Sequence, residues 1–328
     1  MAHYLVAGAA GFIAYYVIER LLQQGHAVLG LDNLNEAYDV RLKEYRLGLL
    51  RGQPGFSFQR LDISDNARLS DFFASSQADT QFAAVINLAA RAGVRQSLEN
   101  PWIYLETNTT GTLNLLELSR RRRIPKFILA STSSVYGADA PLPTPETALS
   151  DRPLQAYAAS KIAAEALSHV YHYLYGLDVS VVRYFTVYGP AGRPDMSIFR
   201  FIQWISEGQP LRLNGGGEQT RGFTYVEDIA HGTLLALKPV GYEIFNLGGH
   251  ESIKMNDLIH MLERRLGRKA IIQALPAHPA DMLANWADVS KAGRVLGWEP
   301  QVSLAEGLDR TVAWYNLNRD WTSQIDTG

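Results

Sequence analysis

Tyr157 and Lys161 stand at the two ends of the run Tyr157-Ala158-Ala159-Ser160-Lys161, which on a helix places a phenol and an ammonium one turn apart on one face. A free phenol ionises near pH ~10, so a phenolate common at neutral pH needs a shift worth about 4 kcal/mol. A lysine one turn away supplies part of it. The spacing also occurs on ordinary solvated helices, so its meaning depends on what converges with it. Gly8-Ala9-Ala10-Gly11-Phe12-Ile13-Ala14 leads from an apolar run into a helical pattern, where backbone N–H groups and the helix dipole can meet a pyrophosphate with no side chain in the way. Asp32 ends the next apolar run; a carboxylate there bonds ribose hydroxyls and repels a 2′-phosphate, which favours NAD over NADP. Ser131-Thr132-Ser133-Ser134-Val135-Tyr136-Gly137 gathers hydroxyls suited to an alcohol or ketone oxygen.

These residues need a scaffold, and the chain supplies alternating apolar runs and helical segments. Runs at His3–Ala7, Ala27–Leu31, Phe56–Leu61, Ala84–Leu88, Lys126–Ala130 and Val179–Arg183 read as strands. A helix-like segment between each pair predicts an α/β fold: a Rossmann-type doubly wound parallel sheet with a smaller C-terminal α/β lobe. Two intervening helices look long, about Pro101–Arg121 and Gln155–Tyr175, and Leu258–Leu266, Val289–Leu296 and Leu304–Leu317 add others later. After Arg183 the texture turns to glycine, proline and loop residues. The expected division is therefore residues 1–183 for dinucleotide and 184–328 mainly for substrate, with about 223–247 returning to the first part. Asp62 and Asn87-Leu88-Ala89-Ala90 follow the third and fourth strands, at carboxyl ends where a dinucleotide lies. Asp62 suits a helix N-cap equally well.

Composition narrows the chemistry. There is no cysteine, which excludes disulfides, thiol catalysis and thiolate-bound zinc, and a net charge of −2 gives no reason to expect nucleic acid or a charged membrane surface as partner. His169 and His172 share a helix face but lack a third ligand, so no metal is expected. Arg120 to Arg123 close a helix, where positive charge complements the dipole. With no membrane-spanning run and no leader pattern, the expected location is the cytoplasm.

The glycine-rich start, the Ser131–Gly137 run and Tyr157-x-x-x-Lys161 together resemble the extended short-chain dehydrogenase/reductase family, over nearly the whole chain. The resemblance is closer still to UDP-glucuronate 4-epimerases. It rests on Ala89-Ala90-Arg91-Ala92-Gly93-Val94-Arg95, Ser97-Leu98-Glu99-Asn100-Pro101, Thr107-Asn108-x-x-Gly111-Thr112, and the long run from Arg183 through Tyr188-Gly189-Pro190-Ala191-Gly192-Arg193-Pro194-Asp195-Met196. It implies a tightly held NAD that takes hydride from C4 of a UDP-hexuronate and returns it to the other face. By the same resemblance Tyr157 takes the 4-hydroxyl proton, Lys161 lowers its pKa and holds the nicotinamide ribose, Thr132 steadies the oxygen, and Tyr157 and Lys161 both count among the cofactor contacts. Gly8, Gly11, Phe12, Ile13, Asp32, Asn33, Asp62, Ile63, Leu88, Ala89, Ala90 and Asn108 are implied cofactor contacts, and Ser133, Ser134, Thr186, Arg193, Arg221, Asp281 and Arg91 substrate contacts.

A 4-ketouronate can lose its carboxylate. Related dehydratases and decarboxylases carry acids where this chain has Ser133 and Ser134, and the guanidinium fork of Arg193 suits a carboxylate, so a uronate 4-epimerase is favoured. A UDP-glucuronate decarboxylase, an epimerase of UDP-glucose or UDP-N-acetylglucosamine, and a non-catalytic NAD sensor remain alternatives. The resemblance further implies a homodimer through the two long helices. Ala14 in place of the third glycine, the bulky pair Tyr15-Tyr16, and Gly222 in place of the usual aspartate after Arg221 are departures expected to touch cofactor or substrate affinity.

Overall fold

The computed structural model describes residues 1–75, 80–249, 251–277 and 282–328. Six strands, β1 (His3–Ala7), β2 (Ala27–Asp32), β3 (Phe56–Arg60), β4 (Ala84–Asn87), β5 (Lys126–Thr132) and β6 (Asp178–Tyr184), fall within a residue or two of the runs that predict them. They join a seventh, Tyr242–Leu247, in one sheet of order Tyr242–Leu247, β6, β5, β4, β1, β2, β3. All six pairings are parallel. Helices cover both faces, so Leu5, Val85, Phe127 and Val181 have no solvent exposure, each such side chain contributing about 1.5–3 kcal/mol of transfer free energy. The chain order reverses between β1 and β4, which opens a crevice at their carboxyl ends.

The long helix predicted over Pro101–Arg121 is interrupted: Pro101–Tyr104 is α-helical, Leu105–Thr110 is a π-turn, and Gly111–Arg122 is α-helical again. Close packing accompanies the adjustment. A Cβ at Gly111 would lie 2.7 Å from Ile63, so glycine lets the helix sit against the loop after β3. The helix carrying Tyr157 and Lys161 runs Ala156–Tyr175 and ends at Gly176 in the left-handed region, φ 67°.

Beyond β6, strand Thr220–Tyr225 pairs with Thr186–Tyr188, Ser252–Lys254 and Ala284–Asn285. Helices Ser197–Glu207, Met255–Leu266 and Leu304–Leu317 contribute Ile202, Leu258, Leu262 and Leu308 to a separate core beside these strands. Residues of the second half also return to the large sheet. Ile229 and Ala230 of helix Val226–Leu235 and the fully buried Trp298 share a core with Val17 and Leu21 of the first helix, Phe12–Gln23.

Candidate active site

One cleft of about 550 Å³ runs along the carboxyl ends of the sheet, lined at one end by Gly8, Gly11, Asp32 and Asp62 and at the other by Thr132, Tyr157, Thr186 and Arg221. The glycine-rich loop is shaped by contact. Gly8 has φ 80°, and a Cβ there would stand 2.7 Å from the Ala89 nitrogen. The Gly8 and Ala9 N–H groups both donate to the Leu31 carbonyl, at 2.7 and 2.9 Å, closing the turn. The helix that follows starts at Phe12 with no side-chain cap, so its first N–H groups are open to an anion. Asp32 accepts from the Ala10 and Leu34 N–H groups at 3.1 and 2.8 Å and still borders the cleft. Asn33 donates to Asp62 at 2.6 Å, and Asp62 also holds Ser64. Burial pushes Asp62 up, but these hydrogen bonds outweigh it and keep the carboxyl below its ordinary value. Phe12, Ile13, Ile63, Leu88, Ala89 and Ala90 line the walls between. A cradle that only glycine fits, an uncapped helix start and an acid at the end of β2 are what a bound NAD requires, and the residues present fit it.

At the other end, Thr132 closes β5 and begins a turn carrying Ser133 and Ser134; its hydroxyl accepts from the Ser134 N–H at 3.2 Å. Tyr157 reaches over from the next helix to the Thr132 hydroxyl. Burial raises the Tyr157 phenol above its ordinary value, opposed by that hydroxyl and by the charge of Arg193. Lys161 is 2 % exposed, and its ammonium donates to the Ala130 carbonyl at 2.9 Å. Burial brings its pKa down to about 8, with Glu165 working the other way. Below that pH Lys161 keeps its charge, while the groups that oppose burial at the Tyr157 phenol are Thr132 and Arg193. Behind it lies a network that motif reading missed. Glu165 accepts from Ser131 at 2.5 Å and from Arg183 at 3.0 and 2.6 Å, which fixes the helix against β5 and β6.

Several expected contacts sit elsewhere. Arg193 lines the cleft, but its fork is occupied by Asp195, at 3.0 and 2.5 Å; two residues of separation in a tight loop let the pair close on itself. Asn108 is fully buried away from the cleft. It bridges the Arg91 backbone, at 2.9 and 3.0 Å, to the Ser160 hydroxyl at 2.9 Å, and so positions the loop and the helix rather than a ligand. Arg91 is not among the residues lining the cleft. Arg221 does line it, while donating to the Thr220 and Met282 carbonyls at 2.9 and 2.5 Å. Asp281 lies outside the described residues. Ser133, Ser134 and Thr186 all border the space beside Tyr157.

The departures have structural work. Tyr16 donates its hydroxyl to the Pro190 carbonyl at 3.0 Å and Tyr15 to Glu19 at 2.7 Å, so neither ring fills the cleft. At Gly222 a Cβ would lie 2.8 Å from Trp286 and 3.0 Å from the Gly249 carbonyl, leaving no room for an aspartate. The sequence reading also passed over helix Val40–Leu50, which buries Lys43 and Arg46. Arg46 donates to the Ala10 carbonyl at 2.9 Å, the Ala191 carbonyl at 2.7 Å and the Tyr38 hydroxyl. Lys43 borders the cleft, donates to the Asn35 carbonyl at 2.7 Å, and is brought to about 8 by burial against the pull of Asp32. The signal was available: Lys43, Arg46, Leu47 and Leu50 repeat at the spacing of one helix face.

Residues 4–248 match the NAD dependent epimerase/dehydratase family. A UDP-glucuronate 4-epimerase of Thermodesulfobacterium geofontis is 55% identical over 326 residues, 99% of each chain. A crystal structure of UDP-glucuronic acid 4-epimerase from Bacillus cereus, in complex with UDP-glucuronic acid and NAD, superposes with a TM-score of 0.89 at 36% identity, over 96% of this chain and 99% of that one. UDP-glucose 4-epimerase of Thermotoga maritima, bound to UDP-glucose, gives 0.88 at 31%, over 97% and 99%.

Proposed function

The chain belongs to the NAD dependent epimerase/dehydratase family, and from that premise we propose that it interconverts UDP-glucuronate and UDP-galacturonate by oxidation and reduction at C4. One observation carries the reading: Thr132, Tyr157 and Lys161 meet at the carboxyl end of β5, beside a sugar-sized space bordered by the hydroxyls of Ser133, Ser134 and Thr186. Similarity to the Thermodesulfobacterium enzyme supports the uronate.

In this reading NAD, when bound, accepts the C4 hydride and gives it back. Gly8, Gly11 and the open helix start hold its pyrophosphate, and Asp32 its adenosine ribose. Tyr157 takes the 4-hydroxyl proton at its phenol oxygen and later returns it, and the Thr132 hydroxyl holds the sugar oxygen in line. Lys161, pinned to Ala130, holds positive charge beside the phenol when protonated. Neither position 133 nor 134 offers an acid to protonate a carbanion, so the hydroxyls there hydrogen-bond the sugar carboxylate and disfavour its loss as carbon dioxide. Arg221 contributes positive charge at the nucleotide end.

Incubation of the purified protein with UDP-glucuronate, followed by chromatography of the nucleotide sugars, is expected to yield UDP-galacturonate. UDP-pentose with carbon dioxide as the main product refutes the proposal. The Arg193–Asp195 pairing favours a second reading, a neutral UDP-hexose as substrate, because the guanidinium is already neutralised. A higher kcat/KM for UDP-glucose than for UDP-glucuronate would select it.

We also propose that residues 1–183 form the NAD-binding part, with 223–247 returning to it, and that the remainder of 184–328 holds the UDP-sugar. A homodimer through the two long helices is supported by Trp102, Tyr173 and Leu174, which are 77, 79 and 58 % exposed on those segments. Among the described residues no helix is long and apolar enough to cross a membrane. We place the protein in the cytoplasm, where nucleotide sugars are at hand.

A further inference from the structure

We propose that Asn285 is a specificity-determining residue: it holds the Ser133 hydroxyl so that its proton faces the sugar end of the cleft, and thereby favours a sugar that carries a carboxylate. The Asn285 amide donates to Ser133 Oγ at 2.9 Å, a contact between residues 152 positions apart in the chain. Ser133 is 6 % exposed, and both residues border the cleft. A serine hydroxyl has one proton. With an amide N–H donated to its oxygen, the O–H is the group left to offer outward. A carboxylate accepts and never donates, and a hydrogen bond to a charged oxygen is roughly twice as strong as a neutral one. A hydroxymethyl group, which brings its own proton, gains less from a fixed donor.

The backbone around Asn285 adds a second connection. Asn285 lies directly opposite Arg221 in the parallel pairing of Ala284–Asn285 with Thr220–Tyr225. Arg221 in turn donates to the Met282 carbonyl at 2.5 Å. The segment Met282–Asn285 thus touches the guanidinium assigned to the nucleotide and the serine assigned to the sugar. The distance between them is set by covalent geometry and sheet register rather than by a mobile loop.

This inference rests on the uronate reading, and its test separates the two. Dissociation constants of UDP-glucuronate, UDP-glucose and UDP are measured by calorimetry on the NAD-loaded protein, in a Tyr157→Phe background so that binding is not mixed with turnover. Asn285→Asp accepts the Ser133 proton instead of donating, so UDP-glucuronate is expected to weaken about 10- to 100-fold, and UDP by less than about threefold. Asn285→Gln, which keeps an amide donor, is expected to retain part of the preference for the uronate. Asn285→Leu is expected to add nothing once Ser133→Ala is present. Equal losses for UDP-glucuronate and UDP, or an undiminished effect of Asn285→Leu in the Ser133→Ala background, overturn the role of Asn285. If the parent protein binds UDP-glucuronate no more tightly than UDP-glucose, the uronate reading falls instead.

Discussion

Replacing Lys161 by methionine is expected to destroy activity and, at the same time, to make the protein harder to unfold. The side chain is 2 % exposed and its ammonium has a pKa near 8 against an ordinary value of 10.5. Holding that charge inside the folded chain at pH 7 costs about 3 kcal/mol. Methionine is similar in length and carries no charge. Its loss of the hydrogen bond to Ala130 costs about 1 kcal/mol, which leaves a net gain of about 2 kcal/mol. Spread over the unfolding entropy of 328 residues, this corresponds to a rise in Tm of about 3 °C.

The pH dependence of that gain is the sharper test. Below pH 8 the lysine is charged in both folded and unfolded chains, and the folded state bears the whole penalty. Between 8 and 10.5 the folded chain has released the proton while the unfolded one keeps it, so the penalty shrinks as pH rises. At pH 9.5 the advantage of methionine over lysine should therefore be about 2 kcal/mol smaller than at pH 7. Scanning calorimetry of both proteins at the two pH values, with epimerase assays in parallel, makes the comparison. A lower Tm for Lys161→Met at pH 7, or a difference that does not change with pH, refutes the claim that burial governs this lysine.

Three further outcomes follow from the site. Tyr157→Phe is expected to lower kcat by about 10²- to 10⁴-fold while leaving the affinity for UDP-glucuronate nearly unchanged, as read by single-turnover kinetics and calorimetry. Gly8→Ala forces a Cβ to within 2.7 Å of Ala89 at a backbone φ of 80°, costing about 1–2 kcal/mol from handedness alone; NAD released on denaturation should fall well below one per chain. Paired Trp102→Glu and Tyr173→Arg substitutions should convert a dimer to a monomer in sedimentation analysis while the circular dichroism spectrum is retained.

Most of the fold was legible because its signals are local. Buried parallel strands read as short apolar runs, and β1 to β6 come within a residue or two of them. The ends of those strands carry Asp32, Asp62 and Thr132, so their placement followed from the strands themselves. Partner choice was not legible. Arg193 offers the same fork to a substrate or to Asp195, and only the loop geometry shows that Asp195 takes it. Asn108 stands in a family motif, yet the π-turn around it points its amide at Ser160 and the Arg91 backbone. Lys43 and Arg46 escaped notice because charged residues on a helix normally face water, and it takes the tertiary structure to place cations on the inner face. Tyr16 read as an obstruction because nothing in its own segment reveals Pro190.

That last contact, together with Arg46, has a practical consequence for engineering. The turn at Pro190–Ala191 is moored to Tyr16, and to the Ala10 carbonyl through Arg46. A chimera that transplanted residues 189–196 onto a related scaffold would import the loop without its moorings. Tyr16 and Arg46 belong in any such graft, although they are distant in sequence and neither is assigned a direct ligand contact.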